Sequence, residues 1–210
     1  MVRNIVCFGD SNTYGYCGDP KDCTDGFRFN EEERWTCLLQ SALGNACRVF
    51  EEGVVGRTTA FDDPLRDGMN GLQAVSSRIA PFQPVDLLIF MLGTNDTKAR
   101  FGLKPAEIAE GMEKLVLRAK EQPVWGLTGP KILIIAPPHI SKDRDAVMHE
   151  KSSALADLYR EVARRNGCAF LDAEGDCTFN HIDRTHLTAA SHRALAERLA
   201  RMVPTLLKKM

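Results

Sequence analysis

Net charge of either sign is nearly absent from this sequence: 27 basic side chains face 28 acidic ones, leaving a formal charge of -1. That balance excludes a global bias towards nucleic acid or an anionic membrane, so neither is expected as a partner. Leu87 to Leu92 is apolar but far too short to span a bilayer. The N-terminus lacks a charged leader followed by an apolar stretch of signal-peptide length. The seven cysteines form no C-x-x-C pair, and an odd number does not suit a secreted disulfide framework. Cys17 and Cys23 share a polar loop and are expected to be free thiols rather than a bridge or a metal pair. Cys7 and Cys37 fall where core packing would place a small hydrophobe. These absences together predict a cytoplasmic protein. No H-x-x-x-H pair or carboxylate cluster asks for a metal, and no G-x-G-x-x-G asks for a dinucleotide, so no cofactor is expected. Repeats, low-complexity tracts and linkers are missing as well. The 210 residues read as one domain, 1–210, long enough to bury a substantial core.

What is present is an alternation of apolar runs with amphipathic stretches. Ile5 to Phe8, Cys47 to Glu52, Val85 to Leu92, Lys131 to Ala136 and Cys168 to Leu171 read as five strands. Between them, Trp35, Leu38, Leu39 and Ala42 recur at helical spacing, with Asn30 and Glu33 as a capping pair before them. A weaker helix precedes Pro81. Ile108, Met112, Leu115 and Ala119 follow Pro105, a favoured first-turn residue. Leu155, Leu158, Tyr159 and Val162 mark another helix. The last begins at Thr188 and carries Leu195, Leu199 and Met202, with Pro204 limiting its regularity. Strands alternating with helices predict an α/β fold, a three-layer α/β/α sandwich around a flavodoxin-like five-stranded parallel sheet. In such a sheet ligands bind beyond the carboxyl ends of the strands.

The first strand runs straight into Gly9-Asp10-Ser11, delivering a serine to that rim. A serine hydroxyl attacks only when a base takes its proton, and that base is usually a histidine held by a carboxylate. Among five histidines, His186 follows Asp183 by three residues in the loop before the last helix. Across a turn that offset can aim a carboxylate at one imidazole nitrogen and leave the other for Ser11. His139, at the end of strand four, is the one rival; His149, His181 and His192 read as surface residues. Acyl chemistry also needs donors aimed at an oxyanion. The N–H of Ser11, the N–H of Gly56 and the side-chain amide of Asn95 are the candidates. Glycine suits the second because it lets backbone approach a ligand closely. Asp10 shapes the turn and, with Tyr14 and Tyr16, is a candidate to line the substrate pocket. Trp35 reads as core and Trp125 as a loop anchor. Arg57 and Lys98 either touch substrate or pair with nearby acids, and ordinary salt bridges are the expectation.

Taken singly, each of these signals has a bland alternative: a solvated Asp–His pair, a turn glycine, an asparagine closing an Asx-turn. Taken in order, Gly9-Asp10-Ser11, Gly53 to Gly56, Gly93-Thr94-Asn95-Asp96 and Asp183-Arg184-Thr185-His186 resemble the four blocks of the SGNH (GDSL) hydrolase superfamily. Arg34-Trp35-Thr36, Glu51-Glu52-Gly53, Arg57-Thr58-Thr59, Asp62-Asp63-Pro64 and Met91 to Lys98 extend the resemblance to its arylesterase/acyltransferase (perhydrolase) branch. The resemblance implies a serine esterase of short-chain, chiefly acetyl, esters of small alcohols, aryl groups or sugars. It implies Ser11, His186 and Asp183 as the triad, with Ser11, Gly56 and Asn95 as the oxyanion hole. It also implies that the acyl group can pass to alcohols or peroxide, and that the chain can form homo-oligomers. The chain departs from the branch at Arg184 and Thr185, where a glycine and an aliphatic residue are usual, and in the charged segment 139–150. Both changes make the rim more polar. A non-catalytic carbohydrate-binding module is the alternative outside enzymes.

Overall fold

The computed structural model describes residues 2–23 and 26–208. Five strands form one parallel sheet: β1 (Arg3–Gly9), β2 (Cys47–Gly53), β3 (Val85–Met91), β4 (Ile132–Ala136) and β5 (Ala169–Asp172), in the order β2-β1-β3-β4-β5. Gly9 stands beside Gly53 on one side and Met91 on the other, so β1, β2 and β3 end level with one another. The chain direction across the sheet reverses at β1, and the ends of its neighbours open a crevice there.

Helices α1 (Ser11–Tyr14), α2 (Trp35–Leu43), α3 (Gly71–Ile79), α4 (Pro105–Lys120), α5 (Ala146–Arg165) and α6 (Ala189–Lys208) complete the fold. Alternation along the strands decides which layer each side chain serves. Val6, Phe8, Leu88 and Phe90 face α3, α4 and α5 through Val75, Met112 and Tyr159. Ile5, Cys7, Leu87 and Ile89 face α2 and α6 through Trp35, Leu39, Leu195 and Leu199. All seven residues of β3 are buried, as a central strand covered on both faces requires. The three-layer sandwich predicted from the alternation of strands and helices is the fold observed.

Local departures from the sequence reading have physical causes. The Asn30–Glu33 pair is made, at 3.4 Å, but closes a single turn rather than starting a helix. α2 begins at Trp35 because its N–H donates to the Nδ1 of His192, 3.2 Å away on α6. His192 is thus no surface residue: it is fully buried, packs edge-on against Phe29, and burial pushes its pKa down to about 3. α6 runs through Pro204 without ending there. Trp35 and Cys7 are core, as expected, whereas Cys37 is only half-buried and rests on Arg34. Trp125 anchors its loop by donating to the carbonyl of Ala119 at 3.2 Å. Cys17 and Cys23 are not free thiols; they form a disulfide across six positions. The remaining five cysteines are free. No helix among the described residues is long and apolar enough to cross a membrane.

Candidate active site

The first strand stops because Asp10 turns the chain. Its Oδ1 accepts the N–H of Asn12 at 2.9 Å, capping α1 and leaving Ser11 as the first helical residue. A first-turn N–H has no partner inside its own helix. Gly56 occupies a turn with φ +94°, a left-handed conformation that glycine tolerates best. That turn is tied to β1: Val54 donates to the carbonyl of Gly9 at 3.1 Å, and Arg57 donates to the same carbonyl at 3.0 Å. Among the described residues, neither the N–H of Ser11 nor that of Gly56 has an acceptor. Asn95, just beyond β3, completes the set. Its Nδ2 donates to the carbonyl of Arg57 at 3.0 Å and lies 3.5 Å from the Oδ2 of Asp10. It therefore touches the chain neighbour of each of the other two donors. Lys98 donates to the Oδ1 of Asn95 at 2.6 Å, which fixes the orientation of the amide.

The loop before α6 supplies the rest. His186 Nε2 lies 2.9 Å from the Ser11 Oγ, and His186 Nδ1 lies 2.6 Å from the Asp183 Oδ2. The other carboxylate oxygen of Asp183 accepts from the N–H groups of Thr185 and His186 and from Asn180 Nδ2, at 2.9 to 3.0 Å. Burial opposes ionisation of this carboxyl, but hydrogen bonds from His186 and the turn outweigh it and hold Asp183 well below the usual carboxylate range. Asp10 moves the other way. Its complete burial raises it to about 6, against the nearby His186, Lys98 and Arg57. Asp96 is likewise raised to about 6 by burial, although the N–H of Thr59 and its hydroxyl both bond it.

The neighbours of this group divide clearly. Tyr16 sets its ring 4.3 Å from that of His186 and stacks on Phe27, which is itself exposed. Tyr14 instead packs under the guanidinium of Arg28. Asp10 is enclosed beneath the serine, where its carboxylate serves the turn and faces Asn95. His139 pairs with Glu174 from the loop after β5, its Nδ1 3.4 Å from the carboxylate, and does not join Ser11. His181 is exposed, and His149 bonds the carbonyl of Ile140. Among the described residues, the expected salt bridges of Arg57 and Lys98 do not form. Arg57 is buried over the ring of Phe8 and donates to the carbonyls of Gly9 and Glu52, and Lys98 serves Asn95.

Two contributors left no distinct mark in the sequence. Asn12, buried beside Ser11, accepts the N–H of Leu187 at 2.9 Å and donates to the carbonyl of Thr185 at 3.3 Å. It thereby grips the base loop on both sides of His186. Gly18 presses against Asp183 so closely that a Cβ there would stand 2.0 Å from Oδ2. Adjacency to Ser11 was the one available signal for Asn12; Gly18 had none.

The arrangement offers a hydroxyl, a base bonded to it, an acid bonded to the base, and three donors grouped at the same strand ends. That is the equipment of acyl transfer through a covalent intermediate. Known proteins similar to this chain are esterases. The aryl esterase of M. smegmatis is 36% identical, over 98% of this chain and 100% of that one, with a TM-score of 0.88. Est24, a carbohydrate acetylesterase from Sinorhizobium meliloti, is 34% identical over 97% and 99%, with a TM-score of 0.86. A lipase/acylhydrolase from Enterococcus faecalis shares the fold at 17% identity, with a TM-score of 0.73. No curated protein matches the chain. The sequence pattern of the GDSL-like lipase/acylhydrolase family matches residues 7–194. Nearly the whole chain is spanned by that match, and it belongs to this family of carboxylic ester hydrolases.

Proposed function

We propose that the chain is a serine esterase of short-chain, chiefly acetyl, esters of small alcohols, aryl groups or sugars. The observation that carries this reading is the unbroken relay from Ser11 Oγ to His186 Nε2 at 2.9 Å and from His186 Nδ1 to Asp183 Oδ2 at 2.6 Å. Ser11 Oγ attacks the ester carbonyl carbon while His186 Nε2 takes its proton. Asp183 holds the histidine in the tautomer that leaves Nε2 free and stabilises the imidazolium. The carbonyl oxygen gathers charge against the N–H groups of Ser11 and Gly56 and the amide of Asn95. As the carbon–oxygen bond to the alcohol breaks, His186 returns the proton to the departing oxygen. Water, deprotonated by the same histidine, then releases the acid and restores Ser11.

The substrate range draws on the relatives, an aryl esterase and a carbohydrate acetylesterase. Hydrolysis, rather than transfer to an alcohol, is favoured by the polar rim, where Arg184 pairs with Asp143 and His181 stands open to water. Five free cysteines suit a cytoplasmic setting, with the Cys17–Cys23 bridge as the exception. The test is hydrolysis of p-nitrophenyl acetate by the protein and by Ser11→Ala, with circular dichroism to establish that both fold. Release by the first and not the second supports the reading; equal release overturns it. Partition between acetate and a new ester in water containing ethanol separates hydrolase from transferase.

A further inference from the structure

We infer that Arg66 selects esters whose alcohol half carries a carboxylate, such as the acetyl ester of a hydroxy acid or a sugar acid. The inference rests on the esterase reading and concerns its specificity. The Nη1 of Arg66 lies 2.7 Å from the point where a Cβ on Gly56 would stand. Covalent geometry then puts that nitrogen within about 6 Å of the Gly56 N–H nitrogen. An oxyanion held by that N–H sits about 2.9 Å further on, so the guanidinium lies within roughly 9 Å of the reacting carbonyl oxygen. A carboxylate on a small alcohol spans most of that distance.

Most exposed arginines are merely solvated, and three features set this one apart. Its backbone is fixed, because Arg66 donates to the carbonyl of Asp63 at 3.2 Å and the two residues form a bridge. The acids nearest before it in the loop are already engaged. Asp63 is clamped by Arg100 at 2.6 and 3.0 Å and by the N–H of Leu65, and Asp62 accepts from Asn70 and Gln73 at 3.1 Å. Arg66 itself has no ion-pair partner among the described residues. Lys98, bonded to Asn95, places a second cation beside another oxyanion donor. An acetyl group has no position for a charge, which assigns the anion to the alcohol half.

The experiment compares kcat/KM for 4-acetoxybenzoate with that for its neutral counterpart, 4-acetoxybenzamide. It uses the intact protein and the Arg66→Lys, Arg66→Gln, Arg66→Glu and Ser11→Ala variants. An exposed ion pair is worth about a two- to fivefold change in KM, so the acid-to-amide ratio should fall by that factor in Arg66→Gln. The ratio should invert in Arg66→Glu and recover largely in Arg66→Lys. Added sodium chloride should erode the ratio in the intact protein and leave it flat in Arg66→Gln. A ratio unchanged by Arg66→Gln overturns the inference. So does a charge preference seen only when the anion is on the acyl side, as in monomethyl glutarate against methyl valerate. Hydrolysis surviving in Ser11→Ala would instead remove the esterase reading beneath it.

Discussion

Replacing Gly18 by alanine adds one methyl group far from any motif, and it should disable the enzyme. The new Cβ would stand 2.0 Å from the Asp183 Oδ2, 2.6 Å from its Cγ and 2.5 Å from the Asn180 Nδ2. Ordinary non-bonded contact is about 3.5 Å, so more than about 1 Å must be recovered by movement. Asp183 cannot swing aside cheaply. Its Oδ2 holds His186, and its Oδ1 takes three further hydrogen bonds. The loop can lift only by drawing Tyr16 and the Cys17–Cys23 bridge with it, away from His186. Either route misplaces the base. A displacement of about 1 Å costs roughly a hundredfold in rate, and outright loss of the acid's alignment about ten-thousandfold. Overpacking of this kind costs about 1–3 kcal/mol of stability, so the sheet should survive. The assay is kcat for p-nitrophenyl acetate, beside circular dichroism and a thermal melt. Gly175→Ala is the control, since a Cβ there meets nothing within 4 Å and its φ is not positive. A folded Gly18→Ala within about threefold of the parent kcat would refute the reasoning.

Three further outcomes are expected. Asn12→Leu removes both bonds that bracket His186, so kcat should fall about tenfold or more with little change in KM, as misorientation without lost binding predicts; a rise in KM alone would count against the positioning role. Asp10 and Asp96 have folded pKa values near 6, above the ordinary aspartate value near 4, so the folded state holds protons that the unfolded chain releases, and stability falls as pH rises from about 4 to 6. Asp183, depressed in the folded state, contributes stability that is fully present above about pH 4 and lost below it, so it does not mask that window. Asp10→Asn, which can still cap Asn12, should remove about half of the decline in a melting-temperature profile; an unchanged slope would show that Asp10 does not titrate there. Reducing the Cys17–Cys23 bridge frees a short loop worth about 2 kcal/mol of chain entropy and loosens Tyr16 and Gly18 against the triad. Dithiothreitol or Cys23→Ser should therefore lower kcat several-fold while the far-ultraviolet dichroism of the sheet persists.

The central strands β3 and β4 were legible because each is a run of apolar residues buried on both faces, and the edge strands β2 and β5, only partly buried, as short runs between helices and turn formers. The residues of the relay were legible as ordered blocks, and Tyr16 as a neighbour of the nucleophile. What escaped depends on contacts between distant segments. His192 looks like any polar residue on a helix until α2 arrives and offers it an N–H. Lys98 reads as half of a salt bridge until Asn95 presents a carbonyl oxygen. Cys17 and Cys23 are six positions apart in a polar stretch, and nothing local distinguishes two thiols from one bridge. Arg57 was hidden for a different reason: a buried guanidinium over Phe8, whose Nη1 donates to two backbone carbonyls, follows no spacing rule.

Ser11 and His186 are 175 residues apart in the chain, and Asn12 reaches across to hold the loop that precedes α6 where the two meet. Ester hydrolysis is therefore a coincidence detector for the finished topology. During refolding from denaturant, helical signal and β1–β3 pairing can return while the protein is still inert, because neither brings His186 home. The delay between regained dichroism and regained turnover times the docking of the last helix onto the first strand, with no label attached to the protein.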